Sequence, residues 1–126
     1  MTSQKGALTT DISNLLILGS GSIARKELLN SVGLAPDRIE KPDVDESPKP
    51  NETPRHYVSR VARSKASAIS CDEQSYLITA DTTVQVGKKA LIKTSDKIKA
   101  TEYLKLLAGR RHSVFTAFCV KHNGLI

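Results

Sequence analysis

The hydrophobic pattern near the N-terminus predicts one strand followed by one helix. The apolar run 15–18 ends at Gly19, which is typical of a short buried strand. Ser22 can cap a helix over residues 23–32, and Gly33 is a suitable residue to end it. The side chains that the helical period assigns to the buried face are Leu28, Leu29 and Val32.

Helical and extended patterns follow each other in the second half. Pro54 is a favourable first residue for a second helix. The apolar stripe of that helix consists of Val58, Val61, Ala62, Ala66 and Ile69. The segments 76–80 and 83–86 predict two strands, one on either side of Asp81, with a turn at 87–89.

The remaining segments predict a third helix, a last strand and one long loop. Ser95 can cap the helix, which would end at Gly109. The buried stripe of this helix would consist of Ile98, Leu104 and Leu107. Residues 113–120 predict a strand. Residues 34–53 hold four of the five prolines and predict a loop, with a short strand near 38–40.

This order of strands and helices predicts an α/β layered domain. The 126 residues suffice for one domain with its own core, which we place at 15–126, after a flexible leader at 1–14. Apolar runs are too short to span a membrane, and no signal-peptide pattern occurs. The two cysteines form no metal or redox motif. We therefore expect a cytoplasmic protein without membrane contact.

The net charge of +6 favours an acidic partner. Aromatic residues make up 4% of the chain, too few for the stacking surfaces that bind single-stranded nucleic acids. A phosphate-bearing small molecule therefore fits better than a nucleic acid polymer. A solvated basic surface with no specific partner is the simpler alternative.

A glycine- and serine-rich loop between the first strand and the first helix is a candidate anion site. Gly19 and Gly21 allow the backbone to approach an anion, and the helix start supplies free N–H groups. Ser20 and Ser22 add hydroxyl donors, and Arg25 lies one turn further on, within reach of the same phosphate. A tight turn with a capping serine is the alternative.

The same loop also fits the loose dinucleotide-binding pattern G-x-G-x-x-A. Gly19, Gly21 and Ala24 match it, and Glu40 follows at a distance suitable for holding a ribose. Pro36 and the neighbouring charges argue against the buried second strand that such a fold requires. We therefore disfavour this interpretation.

Carboxylates supply the other candidate chemistry. Asp81 follows an apolar segment, where it could hold a divalent metal or orient a water, or simply end a strand. Asp43, Asp45 and Glu46 could bind Mg²⁺, although acids in a proline-rich loop are usually solvated. The other candidates, each more simply a surface charge, are Lys65, Lys93, Arg110, Arg111 and His112.

Five motifs carry a resemblance to a known family. They lie at 18–29, 44–46, 52–66, 80–82 and 107–116. In that order and spacing they resemble the Maf (septum-formation) family of nucleoside triphosphate pyrophosphatases, with its S-x-S-x-x-R turn, its YV-x-R helix and its A-D-T motif. The resemblance implies a mixed β-sheet flanked by helices, as in the inosine-triphosphatase-like architecture.

The resemblance also implies an activity and roles for individual residues. The family hydrolyses a nucleoside triphosphate between the α- and β-phosphates with Mg²⁺ or Mn²⁺. Ser20, Ser22 and Arg25 would bind phosphate oxygens, and Lys65 and Lys93 would neutralise the leaving pyrophosphate. The implied metal ligands and catalytic acids are Asp81 and Glu46, with Lys93 also catalytic.

The residues around Asp81 point to one branch of the family. Ala80, Asp81 and Thr82 match the A-D-T of members that act on dTTP and UTP, rather than the S-D-Q of those acting on methylated nucleotides. Thr82 would therefore lie in the substrate-binding site. Pocket shape discriminates small groups by about 1–3 kcal/mol, so some turnover of CTP is expected.

Two departures from the family qualify these expectations. Residues 92–94 replace its G-K-P, although Lys93 is kept, and its C-terminal third has no counterpart here. We therefore expect an incomplete domain whose last strand, ending near Val120, leaves an open edge and exposed apolar surface. Such a chain would aggregate or form a homodimer. The alternative function is a non-catalytic nucleotide-binding or division-associated remnant.

Overall fold

The computed structural model describes residues 15–91 and 93–126, so the predicted leader at 1–14 lies outside the described residues. The helices and strands are β1 (Leu16–Gly19), α1 (Ile23–Ser31), β2 (Arg38–Ile39), α2 (Pro54–Ala68), β3 (Tyr76–Val86), β4 (Lys89–Leu91), α3 (Lys97–Leu107) and β5 (His112–His122). This order agrees with the predicted α/β class.

The strands form one mixed sheet around β3, which pairs with β1, β4 and β5. The short strand β1 is parallel to β2 and β3, and it places Leu18 beside Ile39 and Ile78. The hairpin strand β4 pairs with the end of β3, whereas β5 pairs antiparallel along its whole length, from Tyr76 to Val86. The predicted mixed α/β fold is thus confirmed.

Helix α2 covers one face of this sheet and forms the core with it. Thr53 caps the helix by accepting the His56 N–H at 3.2 Å, and Pro54 is the first helical residue, as predicted. The whole predicted stripe is buried: Val58, Val61, Ala62, Ala66 and Ile69. Ile17 and Leu77 meet it from the sheet. Each fully buried branched side chain contributes about 1.5–3 kcal/mol through removal from water.

The prediction of two strands separated by Asp81 is wrong, because β3 runs without a break from Tyr76 to Val86. Its antiparallel partner β5 pairs through this point, where Asp81 lies opposite Ala117. The carboxylate is not expelled into a turn because Lys65 of α2 reaches it inside the fold. The turn that follows, at Gly87 and Lys88, is as predicted.

The predicted cap of α3 is also wrong, because Asp96 and not Ser95 precedes the helix. The Asp96 Oδ1 atom accepts the Ile98 N–H at 2.9 Å, and the Asp96 N–H donates to Thr94 Oγ1 at 3.0 Å. A carboxylate at a helix N-terminus also interacts favourably with the helix dipole, which a serine hydroxyl does more weakly.

The apolar stripes of α1 and α3 are not buried, contrary to prediction. Neither helix contains a buried residue, and Leu28, Val32, Ile98 and Leu104 are exposed. The stripes have correct helical spacing, but within the described residues no element covers them. The sheet face opposite α2 is similarly apolar, since Phe118 of β5 is 71% exposed.

Among the described helices, none combines the length and apolarity that crossing a membrane requires.

A close approach at Gly19 yields a testable expectation for stability. A Cβ at this position would lie 2.7 Å from side-chain carbons of both Ile69 and Thr79, so Gly19→Ala must displace the core. We expect it to lower the free energy of unfolding in urea by about 1–3 kcal/mol. Gly21→Ala is the control, because its Cβ would meet only the flexible Lys41 side chain at 3.3 Å. Equal stability of the two variants would contradict this packing.

Candidate functional site

The site lies at a gap along one edge of β3. On that edge β3 pairs with β1 up to Thr79 and with β4 from Val84 onward. Residues 80–83 between them have no strand partner on that edge within the described structure. Loops and side chains from other elements can therefore approach the backbone and the Asp81 carboxylate there, at the carboxyl end of β1.

The glycine- and serine-rich loop forms one wall of this gap. Ser20 is buried, and its hydroxyl accepts the Ser22 N–H and an Arg25 guanidinium N–H, both at 3.1 Å. Ser22 caps α1 by accepting the Arg25 N–H at 3.2 Å. The other terminal nitrogen of Arg25 donates to Thr82 Oγ1 at 3.1 Å. The loop therefore presents a fixed guanidinium and two hydroxyls beside a helix N-terminus.

A buried ion pair forms the floor of the gap. Lys65 Nζ donates to Ala80 O at 3.0 Å and to Asp81 Oδ1 at 3.3 Å. Asp81 is 2% exposed and Lys65 is 5% exposed. The second carboxylate oxygen, Asp81 Oδ2, is buried and has no hydrogen-bond partner among the described residues. A buried acceptor of this kind needs a further donor or a cation.

Glu46 brings a second carboxylate to the same place. Its Oε1 lies 4.0 Å from Lys65 Nζ and 3.7 Å from Lys93 Nζ. Glu46 lies on a loop, Lys65 on α2 and Lys93 after β4. Because these residues are far apart in the sequence, their spacing does not predict this contact. The Glu46 side chain is one-third exposed and Lys93 is largely exposed, so this side of the site is open to solvent.

The Glu46 loop is held in place by three residues to which the family motifs assigned no role. Tyr57 Oη donates to Glu46 O at 2.6 Å, and Arg60 donates to Ser47 O at 3.0 Å. Arg60 also forms a two-pronged pair with Glu52, at 2.6 and 2.9 Å. The only signal in the sequence is their place in one motif, with Tyr57 and Arg60 three residues apart on α2.

The charges around this loop shift two pKa values. The hydrogen bond from Arg60, and then the Lys49 backbone N–H, lower the pKa of Glu52 from 4.5 to about 2. Burial, followed by the negative charges of Asp81 and Glu46, raises the pKa of Tyr57. Glu52 is therefore ionised and the Tyr57 hydroxyl is protonated at neutral pH.

Two cavities that share lining residues open on these side chains. The larger, of about 770 Å³, lies between the loop before α2 and the β3–β4 hairpin, and includes Asp81, Thr82 and Gln85. The smaller, of about 280 Å³, lies against the serine loop and includes Ser20, Ser22, Arg25 and Lys65. Both contain Glu46 and Lys93, so a ligand could extend from one to the other.

Several candidates lie outside the site. Asp45 Oδ1 accepts the Ser47 N–H at 2.9 Å. Hydrogen bonding from the Ser47 side chain, and then from this N–H, lowers the pKa of Asp45. Its neighbour Asp43 is exposed. The candidates that line a separate pocket with Gly87 are Arg110, Arg111 and His112. Glu40 pairs with Arg38 on the surface at 3.0 Å, and β2 is exposed, which disfavours the dinucleotide interpretation.

The residues of the gap fit a divalent cation bound together with phosphate. No group of three His, Cys, Asp or Glu side chains suitable for a metal occurs in the described part of the chain. Mg²⁺, however, is commonly held by one or two carboxylates, with the other positions taken by water and substrate phosphates. The unpartnered Asp81 Oδ2 and the nearby Glu46 carboxylate match that pattern.

Comparisons with known proteins show what the chain is similar to. A family model described as Maf-like protein matches residues 15–125. Three proteins named dTTP/UTP pyrophosphatase are similar to the chain: 48% identity over 107 residues in Roseobacter denitrificans, 45% over 108 in Cereibacter sphaeroides and 41% over 113 in Zymomonas mobilis. These matches cover 85%, 86% and 89% of this chain but 57%, 56% and 56% of the relatives. The chain thus spans little more than half their length.

The buried pair at the floor of the gap leads to a stability prediction. Lys65→Met would leave the Asp81 carboxylate buried without its cation, so we expect the free energy of unfolding to fall by about 3–5 kcal/mol. Combining it with Asp81→Asn should restore part of the loss, because no buried charge remains. Lys93→Met is the exposed control, expected to change stability by less than about 0.5 kcal/mol. Urea denaturation measures these three variants, Asp81→Asn alone and the unmodified chain, and strictly additive losses would contradict the pairing.

Proposed function

This chain belongs to the Maf-like protein family, and we propose that it is a nucleoside triphosphate pyrophosphatase. The observation that carries the proposal is the buried Asp81 carboxylate, placed beside Lys65, Lys93 and Glu46, with one oxygen that no described residue contacts by a hydrogen bond. Such a carboxylate is suited to a cation that binds with phosphate groups. The cationic side chains suit the phosphates themselves.

The triphosphate would bind across the smaller cavity. Ser20 and Ser22 would donate hydroxyl hydrogen bonds to phosphate oxygens at the start of α1, where the helix dipole favours negative charge. Arg25 would contribute a planar guanidinium already oriented by Ser20 and Thr82. Because these donors are fixed before binding, little side-chain entropy is lost when phosphate arrives.

The proposed reaction is attack of a water oxygen on the α-phosphorus, which breaks the bond from that phosphorus to the oxygen bridging to the β-phosphate. The products are the nucleoside monophosphate and pyrophosphate. Lys65 and Lys93 would stabilise the negative charge on the departing pyrophosphate. A proton leaves the attacking water, and Glu46 is the better placed acceptor because it is one-third exposed, whereas Asp81 is buried.

Asp81 and Glu46 would hold the divalent cation, Mg²⁺ or Mn²⁺. When bound, the cation supplies charge neutralisation at the phosphates and lowers the barrier to attack. Lys65 would keep Asp81 Oδ1 engaged, which leaves Oδ2 as the free ligand. Glu46 would thus serve both as ligand and as catalytic acid–base group, together with Lys93 as a catalytic cation.

The nucleoside would occupy the larger cavity, and the proposed substrates are dTTP and UTP. The relatives that carry that name support this choice, as does the A-D-T sequence at 80–82. Thr82 lines this cavity, and its hydroxyl also contacts Arg25 and, at 2.9 Å, Thr116. We therefore assign Thr82 a part in the substrate site through its hold on Arg25. No nucleic acid polymer is required as a partner.

Two further expectations stay predictions. We place the protein in the cytoplasm, because that compartment holds the nucleotides on which it would act. We also retain the homodimer expected from the sequence.

A second candidate function is nucleotide binding without hydrolysis. The observation that favours it is the replacement of the family's G-K-P by residues 92–94, which changes the turn that carries Lys93. Both candidates use the same phosphate contacts, so binding alone does not separate them. Release of pyrophosphate does.

Pyrophosphate release tests the proposed activity. With Mg²⁺ or Mn²⁺, we expect release from dTTP and UTP, less from CTP and little from 7-methyl-GTP. Asp81→Asn should abolish it, because the change removes the charge and keeps the shape. The fold should be kept at reduced stability, because Lys65 loses its buried partner. Asp72→Asn, at an exposed aspartate before β3, is the matched control and should be fully active.

The outcomes separate the candidates. Near-normal turnover by Asp81→Asn would contradict the role of Asp81. Nucleotide binding without pyrophosphate release by the unmodified chain would favour the second candidate. A preference for 7-methyl-GTP would overturn the choice of substrate and leave the reaction standing.

The phosphate loop has its own test. Arg25→Ala removes a charge-assisted contact, so we expect affinity for α,β-imido-dUTP to fall about 10- to 100-fold, equivalent to about 1.5–3 kcal/mol. Isothermal titration calorimetry measures the affinity. Arg63→Ala, at an exposed arginine of α2, should leave it unchanged. Equal affinity of both variants would remove Arg25 from the site.

A further inference from the structure

The loop that carries Glu46 has little structure of its own. Between β2 and α2 the chain runs through residues 40–53 without helix or strand. The two cations nearest the Glu46 carboxylate lie at 3.7 and 4.0 Å, which is beyond hydrogen-bond distance. These long ion pairs alone do not fix the position of a partly exposed carboxylate. Its placement must depend on contacts to the main chain.

Helix α2 supplies those contacts from its first two turns. Tyr57 Oη donates to Glu46 O at 2.6 Å, and an Arg60 guanidinium nitrogen donates to Ser47 O at 3.0 Å. Residues three apart on a helix lie on one face, so both side chains reach the loop together. Two successive carbonyl groups, those of residues 46 and 47, are thus held by one rigid helix.

Glu52 completes the arrangement by holding Arg60. Both carboxylate oxygens accept guanidinium N–H groups, at 2.6 and 2.9 Å, and Oε1 also accepts the Lys49 N–H at 3.0 Å. This planar, two-pronged pairing orients the guanidinium, so that a remaining N–H faces Ser47 O. The lowered pKa of Glu52 keeps the pair ionised at neutral pH.

The same helix also carries Lys65, which binds Asp81. Both Glu46 and Asp81 are therefore in contact with α2. The helix binds the main chain of Glu46 and the carboxylate of Asp81. We propose that Tyr57 and Arg60 are positioning residues that fix the main chain at 46–47 and thereby hold the Glu46 carboxylate against the Asp81 site for a divalent cation. This inference rests on the proposed function, in which these two carboxylates share the cation.

The test is binding of Mn²⁺ alone, measured by electron paramagnetic resonance of the free ion. Tyr57→Phe removes one hydroxyl and keeps the ring. Arg60→Lys keeps the positive charge but removes the planar guanidinium that makes the two-pronged pair. We expect each change to weaken Mn²⁺ binding about 10-fold or more, as loss of a group that orients a ligand does. The controls, expected to bind as the unmodified chain does, are Tyr76→Phe at the far end of β3 and Arg63→Lys on the exposed side of α2.

A double-mutant cycle separates positioning from general destabilisation. If Tyr57 acts through Glu46, Tyr57→Phe should have no further effect on Mn²⁺ affinity once Glu46→Gln has removed the ligand. Additive losses, or normal affinity in Tyr57→Phe and Arg60→Lys, would overturn the proposal. Thermal unfolding of each variant checks that the fold is kept.

The result of the double-mutant cycle can be distinguished from the test of the proposed function. Pyrophosphate release by a chain that shows no Mn²⁺ affinity, or no coupling between Tyr57 and Glu46, would overturn the positioning role alone. An intact cycle in a chain that releases no pyrophosphate would overturn the hydrolytic function and leave the positioning role standing.

Discussion

The ion pair between Lys65 and Asp81, withdrawn from solvent inside the sheet, is the contact on which the rest of the site depends. Removing two charges from water costs several kcal/mol each, and the pair is tolerated only when each charge has well-placed partners. Lys65 reaches both the Asp81 carboxylate and Ala80 O, so one ammonium group binds an acid and a backbone carbonyl. Its position follows from the packing of α2, since Val61 and Ala62, one turn earlier, are fully buried against the sheet. Hydrophobic packing thereby sets where the charge lies.

The gap in the sheet is the second requirement. A continuous neighbour along residues 80–83 of β3 would satisfy the backbone there and cover the carboxylate, but β1 ends at Gly19 and β4 begins to pair only at Val84. The interruption brings the start of α1, the Glu46 loop and the segment at Lys93 to one place. Gly19 makes this possible, because any side chain there would collide with Ile69 and Thr79 and push β1 away from the core.

Local patterns of the sequence predicted those features that a segment's own residues determine, such as the spacing of an apolar stripe. The stripe of α2 was predicted from its 3.6-residue spacing, and it is buried because the sheet packs against it. The structure also brings Ser20 to Arg25 and Lys65 to Asp81, residues that the family resemblance had placed in one site. The continuity of β3 was missed because it depends on β5 and on Lys65, far away in sequence. The stripes of α1 and α3 have the spacing of buried faces, yet burial requires a partner that the spacing does not specify. Tyr57 and Arg60 bind backbone carbonyls, which every residue possesses, so no side-chain pattern marks their targets.

The two carboxylates are held in opposite ways, and the difference follows from their surroundings. Asp81 lies on a strand in the core, where its backbone is fixed by pairing and its buried charge is the costly feature. Glu46 lies on a loop near solvent, where its charge is inexpensive and its main chain is the part that must be fixed. One helix meets both needs, supplying a cation to the buried acid and hydrogen-bond donors to the carbonyl groups beside the exposed one. Because strand pairing fixes Asp81, a change that shifted α2 along its axis would move Lys65 and the main chain at 46–47 relative to Asp81, and so alter the separation of the two carboxylates.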